Sequence, residues 1–252
     1  MTMHTEKFVA KVPEVTLAFW IIKILATTLG ETGGDALSMS MGAGYLVSTL
    51  VFSLIFFLCV IIQMKVTRFH PFVYWITIIA TTTVGTTLAD FADRSLGIGY
   101  AGGVSLLSVL LIGSLISWYR ILGTISVDSV SSPKAEAFYW VTIMFSQTLG
   151  TALGDWTADS MGLGYMWSAL LFGSLLLALG GLYFYSKVNR TLLFWGAFVL
   201  TRPLGAVVGD FLDKPLSQGG LALSRYTATA VLLICIVLCI VFTPQRAAQK
   251  NH

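Results

Sequence analysis

Four aspartates recur at one position of a repeated segment, each directly behind a small residue. The segments read FWIIKILATTLGETGGD, YWITIIATTTVGTTLAD, YWVTIMFSQTLGTALGD and FWGAFVLTRPLGAVVGD, and they end on Asp35, Asp90, Asp155 and Asp210. Carboxylates with hydroxyl neighbours are hard oxygen ligands, so a ring of four around an axis would attract and bind a hard cation, making these aspartates candidate metal ligands. The competing structural role is that each aspartate caps a following short helix or ties down the next turn. Asp93, Asp159 and Asp213 follow at unequal offsets, with Ser38 in the first copy, and are expected to be solvated loop charges.

Eight residues before each aspartate stand Thr27, Thr82, Gln147 and Arg202, a wholly polar layer about 12 Å further along a helix. Thr28, Thr83 and Thr148 align beside it, and Pro203 takes the fourth place, where a kink is expected. One turn deeper again lies Lys23, opposite Ile78, Ile143 and Phe198 of the other copies. An ammonium at that depth cannot snorkel to either surface and needs a partner. Lys23, Thr27 and Glu31 follow i, i+4, i+8 spacing, with Asp35 continuing the stripe, which makes it the candidate translocation path. Protonation of Glu31 or an aspartate could couple transport to protons, with Lys23 and Arg202 as charge partners. Alternatively, Lys23 and Arg202 form buried ion pairs with Glu31 or an aspartate that only fix the packing.

These residues are carried on apolar segments. Of 252 residues, 56% are hydrophobic and 11% charged, too little polar surface for a water-soluble globule of this size. Runs long enough to span a bilayer begin near Val15, Leu46, Phe72, Ala101, Phe138, Met166, Leu192 and Thr227, so eight transmembrane helices are predicted. The apolar run that follows Met1 to Lys11 ends at GETGGD instead of a small-residue cleavage site, so it reads as a mature helix, not a signal peptide. Lys65 and Arg68, Arg120 and Lys134, and Lys187 and Arg190 fall in one set of connections with both termini (Lys7, Lys11, Arg246, Lys250), which the positive-inside rule makes cytoplasmic. The acidic set, with Arg94, Lys214 and Arg225 as its basic residues, faces outward.

The copies occupy approximately residues 13–66, 70–120, 135–188 and 190–243 of a single transmembrane domain. Each contains two spans, so all four share one orientation and any pseudo-symmetry axis runs along the membrane normal. The fold class is thus an all-α integral membrane protein of four parallel two-helix repeats. Three copies continue into Gly-x-Gly-Tyr turns (Gly42 to Tyr45, Gly97 to Tyr100, Gly162 to Tyr165), which the fourth lacks. The pairs Gly30 and Gly34, Gly85 and Ala89, Gly150 and Gly154, and Gly205 and Gly209 suit close helix packing in lipid. Trp20, Trp75, Trp140 and Trp195 read as core packing between the repeats or an aromatic layer at one depth.

In these features the chain resembles a family of uncharacterised bacterial membrane-anchored proteins, defined by four tandem two-helix repeats that each contain a tryptophan. The resemblance covers essentially the whole chain and implies architecture and a bacterial inner membrane, without a chemistry.

Formal net charge is +3, with the basic residues in short clusters between apolar runs, so no nucleic acid is expected as a partner. Cys59, Cys235 and Cys239 lie in apolar runs without a ligand pattern, and His4, His70 and His252 lie near the ends or in a loop, so no cofactor is expected. No nucleophile, base and orienting group fall at useful spacing, and an enzyme is not expected. The leading expectation is a transporter of a small cation, a divalent metal such as manganese first. The alternatives are a transporter of a small anionic metabolite using Lys23 and Arg202, or a non-transporting membrane scaffold. The expected partners are the lipid bilayer and a small ion or molecule, and a homo-oligomer is compatible with the pattern.

Overall fold

The computed structural model describes residues 10–248, so His4, Lys7, Lys250, His252 and the chain ends lie outside the described residues. Among the described residues there are eight long helices: α1 (Leu17–Asp35), α2 (Gly44–Lys65), α3 (Pro71–Asp90), α4 (Tyr100–Leu122), α5 (Pro133–Asp155), α6 (Gly164–Tyr185), α7 (Arg190–Asp213) and α8 (Arg225–Phe242). Local chemistry sets their starts. Thr16 and Ser132 accept from the backbone N–H groups of Phe19 and Ala135, Asn189 accepts from Thr191 and Leu192, and Pro71 and Pro133 fit the first turn. The Gly-x-Gly-Tyr turns need backbone that L side chains rarely adopt: Gly42, Gly44, Gly97, Gly99, Gly162 and Gly164 all have φ between 69° and 75°.

The odd helices form the interior and the even helices the exterior. Helix α1 packs on α3, α3 on α5, α5 on α7, and α7 back on α1, closing a ring. Each even helix leans on the inner helix of the next copy: α2 on α3, α4 on α5, α6 on α7, and α8 on α1. The copies therefore interlock, and the last helix of the chain seals the first.

Six helices are long and apolar enough to cross a membrane, consistent with a membrane protein. Burial separates the two classes: 72% and 61% of the apolar windows of α3 and α7 are buried, against 11–17% for α2, α4, α6 and α8. The outer helices expose leucine, isoleucine and phenylalanine, as a lipid-facing surface requires. Helices α1 and α5 fall outside the six: Lys23 and Glu31 dilute the hydropathy of α1, and Ser146, Gln147 and the threonines and glycines around them that of α5. Both lie in the inner ring.

Three layers cross the inner ring. At its start Phe19, Tyr74, Trp75, Tyr139, Trp140, Phe194 and Trp195 are buried together, Trp20 packs against them, and the Tyr74 and Tyr139 hydroxyls meet at 2.6 Å. The tryptophans are thus core packing between the copies. In the middle the repeat glycines receive the polar layer. A Cβ on Gly30 would strike Thr82, on Gly85 Gln147, on Gly150 Arg202, and on Gly205 Thr27, each the corresponding side chain of the next copy, with the fourth returning to the first. The glycines let neighbouring backbones approach until those polar side chains fit between them. Pro203, where a kink was expected, lies inside α7 without ending it, and its ring faces Gly150. At the far end stand the aspartates.

Alanine for glycine gains helix propensity of about 1 kcal/mol in an unobstructed helix, whereas overpacking costs about 1–3 kcal/mol. Gly150→Ala is expected to lower the melting temperature of the detergent-purified protein by several degrees, and Gly173→Ala, whose Cβ meets nothing within 4 Å, to leave it unchanged or higher. Equal effects in thermal denaturation followed by tryptophan fluorescence would contradict the packing role of the repeat glycine.

Candidate functional site

Arg202 extends from α7 into the centre of the ring with no exposed surface. Its Nη2 lies 2.9 Å from Glu31 Oε2, 2.6 Å from Thr86 Oγ1 and 2.5 Å from Thr151 Oγ1, so one nitrogen contacts α1, α3 and α5. Glu31, Thr86 and Thr151 occupy the same repeat position, four residues before the aspartate, and Ala206 holds it in α7. The polar layer has further ties. Thr82 donates to the Ala26 carbonyl at 3.1 Å and Thr27 to the Thr201 carbonyl at 3.1 Å, while Thr28, Thr83 and Thr148 bond back to their own helices.

The repeat aspartates are all buried and gather at one end, but they do not form a single ring of equals. Arg94 joins Asp90 and Asp155, at 3.0 Å from each. Lys214 joins Asp35 and Asp210, at 3.2 and 3.0 Å. The expected four-aspartate metal set is therefore split by two tethered cations. Asp35 and Asp210 are joined by Glu31: the three residues offer carboxylate oxygens within 4.8 Å of one another, and all three are buried. Two or three carboxylates at that spacing, with Thr86 beside Glu31 at 3.4 Å, fit a hard cation and not a soft one. Lys214 stands just beyond the helical span of α7. Burial disfavours its charge, but Asp210 and Asp35 outweigh that and hold its pKa above the ordinary lysine value.

Several expectations change in the folded chain. The aspartates do not cap: Asp35, Asp90 and Asp155 sit at the junction of an α-helix with a π-helical turn (Ala36–Ser40, Phe91–Ser95, Trp156–Ser160), and their side chains make no capping bond. Asp210 is buried as well, inside α7 and without such a turn. Asp93 and Asp213 are buried, not solvated: Asp93 is pressed against Gly103 of α4, and Asp213 is paired with Arg225. Asp159 is exposed, as expected, and accepts from the Tyr100 and Tyr165 hydroxyls at 3.4 Å.

The stripe that is the candidate translocation path is packed into the seam between α1 and α7. Thr27 meets Gly205, Glu31 meets Gly209, and Lys23 lies over the Phe198 ring at 4.2 Å. Of the two deep cations, Arg202 has the carboxylate partner and Lys23 has none among the described residues. The sequence reading missed Thr86, Thr151, Arg94 and Lys214 as site residues. The signal for the first two was alignment with Glu31, one turn from the polar layer.

Leaving one member of a buried ion pair alone costs about 3–5 kcal/mol. Arg202→Leu and Glu31→Gln are each expected to destabilise the protein strongly, and the double variant to recover most of the loss in thermal denaturation. Simple addition of the two losses would show that the pair is not coupled.

A repeat of unknown function, DUF347, matches four times in tandem, at residues 18–69, 73–124, 138–189 and 193–245. No curated protein and no solved structure matches significantly. With four matches covering most of its length, the chain belongs to the DUF347 repeat family.

Proposed function

We propose that this protein is a membrane transporter of a small hard cation, with a divalent metal such as manganese as the first candidate cargo. The observation that carries the reading is the buried triad Glu31, Asp35 and Asp210, with oxygens within 4.8 Å, where a lysine already serves as a tethered cation. Buried carboxylates inside a helical bundle are costly, at about 2.5–3.5 kcal/mol each on insertion scales, and are kept where ions or protons must pass.

Lys214 also lines an open cavity of about 440 Å³ together with Arg94, Tyr100, Asp159, Tyr165 and Gln218. A cation entering there reaches the triad by displacing the Lys214 ammonium from between Asp35 and Asp210. Below the triad the Arg202–Glu31 pair closes the ring, and the aromatic layer closes it again. A cation bound to Glu31 competes with Arg202 for the same carboxylate, so binding loosens the inner closure. A proton on Glu31 would have the same effect, which makes proton coupling part of the reading.

In this reading all eight helices cross the bilayer, α1 and α5 shielded by their neighbours, and the copies share one orientation about an axis along the membrane normal. Lys65, Arg68, Arg120, Lys134, Lys187 and Arg190 then place the aromatic end on the cytoplasmic side of a bacterial inner membrane, with the aspartates outside.

Uptake of manganese into sealed proteoliposomes, with magnesium, calcium and protons compared, is the direct test. Saturable uptake is expected in the wild type and its loss in Asp210→Asn. Lys214→Met is expected to lower the half-saturating concentration about tenfold, by removing the competing charge. No flux of any cation would sink the reading and turn the search to anions.

A further inference from the structure

Beneath the triad the chemistry of the core reverses. Among the described residues, the buried side-chain atoms without a hydrogen-bond partner include Lys23 Nζ, Arg202 Nε and Nη1, Gln147 Nε2 and Oε1, and Ser146 Oγ. All four side chains are fully buried. They belong to three helices of the inner ring and to adjacent layers. Gln147 and Arg202 share one repeat position on the neighbouring helices α5 and α7, Ser146 precedes Gln147, and Lys23 lies one turn further toward the aromatic layer. Lys23 Nζ is 4.2 Å from the centre of the Phe198 ring, and Phe198 is one helical turn from Arg202 on α7.

Every one of these groups offers N–H or O–H hydrogens, and the Gln147 carbonyl is the one acceptor-only atom among the unpartnered oxygens of the set. Charge leads to the same requirement. Between the aromatic layer and the aspartate end the fully enclosed ions are Lys23, Arg202 and Glu31, and Glu31 is taken up by Arg202 Nη2. With Lys23 protonated, one positive charge is left over among the described residues, fully buried, where an uncompensated charge is costly. Ile78, Ile143 and Phe198, which hold the Lys23 position in the other copies, supply no counter-charge.

We infer that the polar layer is a binding site for one small monovalent anion of halide size, held by Lys23, Arg202 and Gln147. It is resident in the core and separate from the cation seat above it. A small ion is the choice because all three side chains are fully enclosed. A cation is excluded by the two positive groups and the excess of donors. A bound water would suffice only with Lys23 neutral, and melting indifferent to halide is the signature of that case. The assignment does not depend on transport: the buried donors of Lys23, Arg202 and Gln147 are unpartnered whether or not an ion is moved.

The test uses the purified full-length protein in detergent, with sodium bromide or sodium chloride replacing sodium gluconate at constant ionic strength. The melting temperature of the wild type is expected to rise saturably with either halide. Lys23→Met removes the leftover charge and is expected to fold and to shift the half-maximal halide concentration upward at least tenfold. Gln147→Leu, which keeps the charge and removes an amide donor, gives a second measure if the first variant folds poorly, with a smaller shift in the same direction. Crystals grown in bromide are expected to show an anomalous-scattering peak beside Lys23 Nζ. Identical melting in halide and gluconate, an unchanged halide midpoint in both variants, or bromide only at the protein surface would overturn the inference.

Discussion

The contact on which the interior depends is the insertion of one guanidinium into the centre of a four-helix ring. Arg202 draws on three helices other than its own, through a single nitrogen shared among Glu31, Thr86 and Thr151. In a region without water such a group must satisfy its charge locally, so the three partners, the small residue Ala206 on its own helix and the glycine that makes room for its stem are tied together. The depth of the polar layer, the spacing of the helices and the closure beneath the aspartates all follow from that one placement.

Closure of the ring explains why the departures from the repeat pattern are found where they are. Lys23 and Glu31 break it in the first copy, Arg202, Pro203 and Lys214 in the last, and α1 packs directly on α7. Glu31 and Arg202, and Asp35 and Lys214, are far apart in the chain but pair across that seam, while Pro203 faces Gly150 of α5. The two middle copies provide threonines, a glutamine and the Arg94-bridged pair Asp90 and Asp155, a more uniform frame. The α1–α7 seam carries the carboxylate triad, and the donor-rich layer below it extends from that seam to Ser146 and Gln147 on α5.

Opposed polar layers also account for the composition of α1. An inner helix that carries a lysine, a glutamate and an aspartate has too little apolar surface to face lipid, and the outer helix that covers it, α8, comes from the far end of the chain. Helices α2, α4 and α6 likewise cover the copy after their own. Such interlocking binds each copy to its neighbour through two surfaces, so no two-helix unit buries its polar face alone.

Much of this was legible in the chain itself, because helical spacing is local. Four copies, eight helices, the glycines with their small partners, the polar layer of Thr27, Thr82, Gln147 and Arg202, and the Gly-x-Gly-Tyr turns all follow from period and residue type. What the sequence could not supply was adjacency. That α7 returns to α1, that Arg202 takes Glu31 while Lys23 is left facing Phe198, that Arg94 and Lys214 divide the aspartates into pairs, and that π-helical turns draw Asp93 inward are consequences of how helices are arranged around a ring. Repeats specify what each helix presents at each depth, and only closure of the ring decides which side chains share a space, since that depends on distances between segments that the order of residues along one helix does not contain.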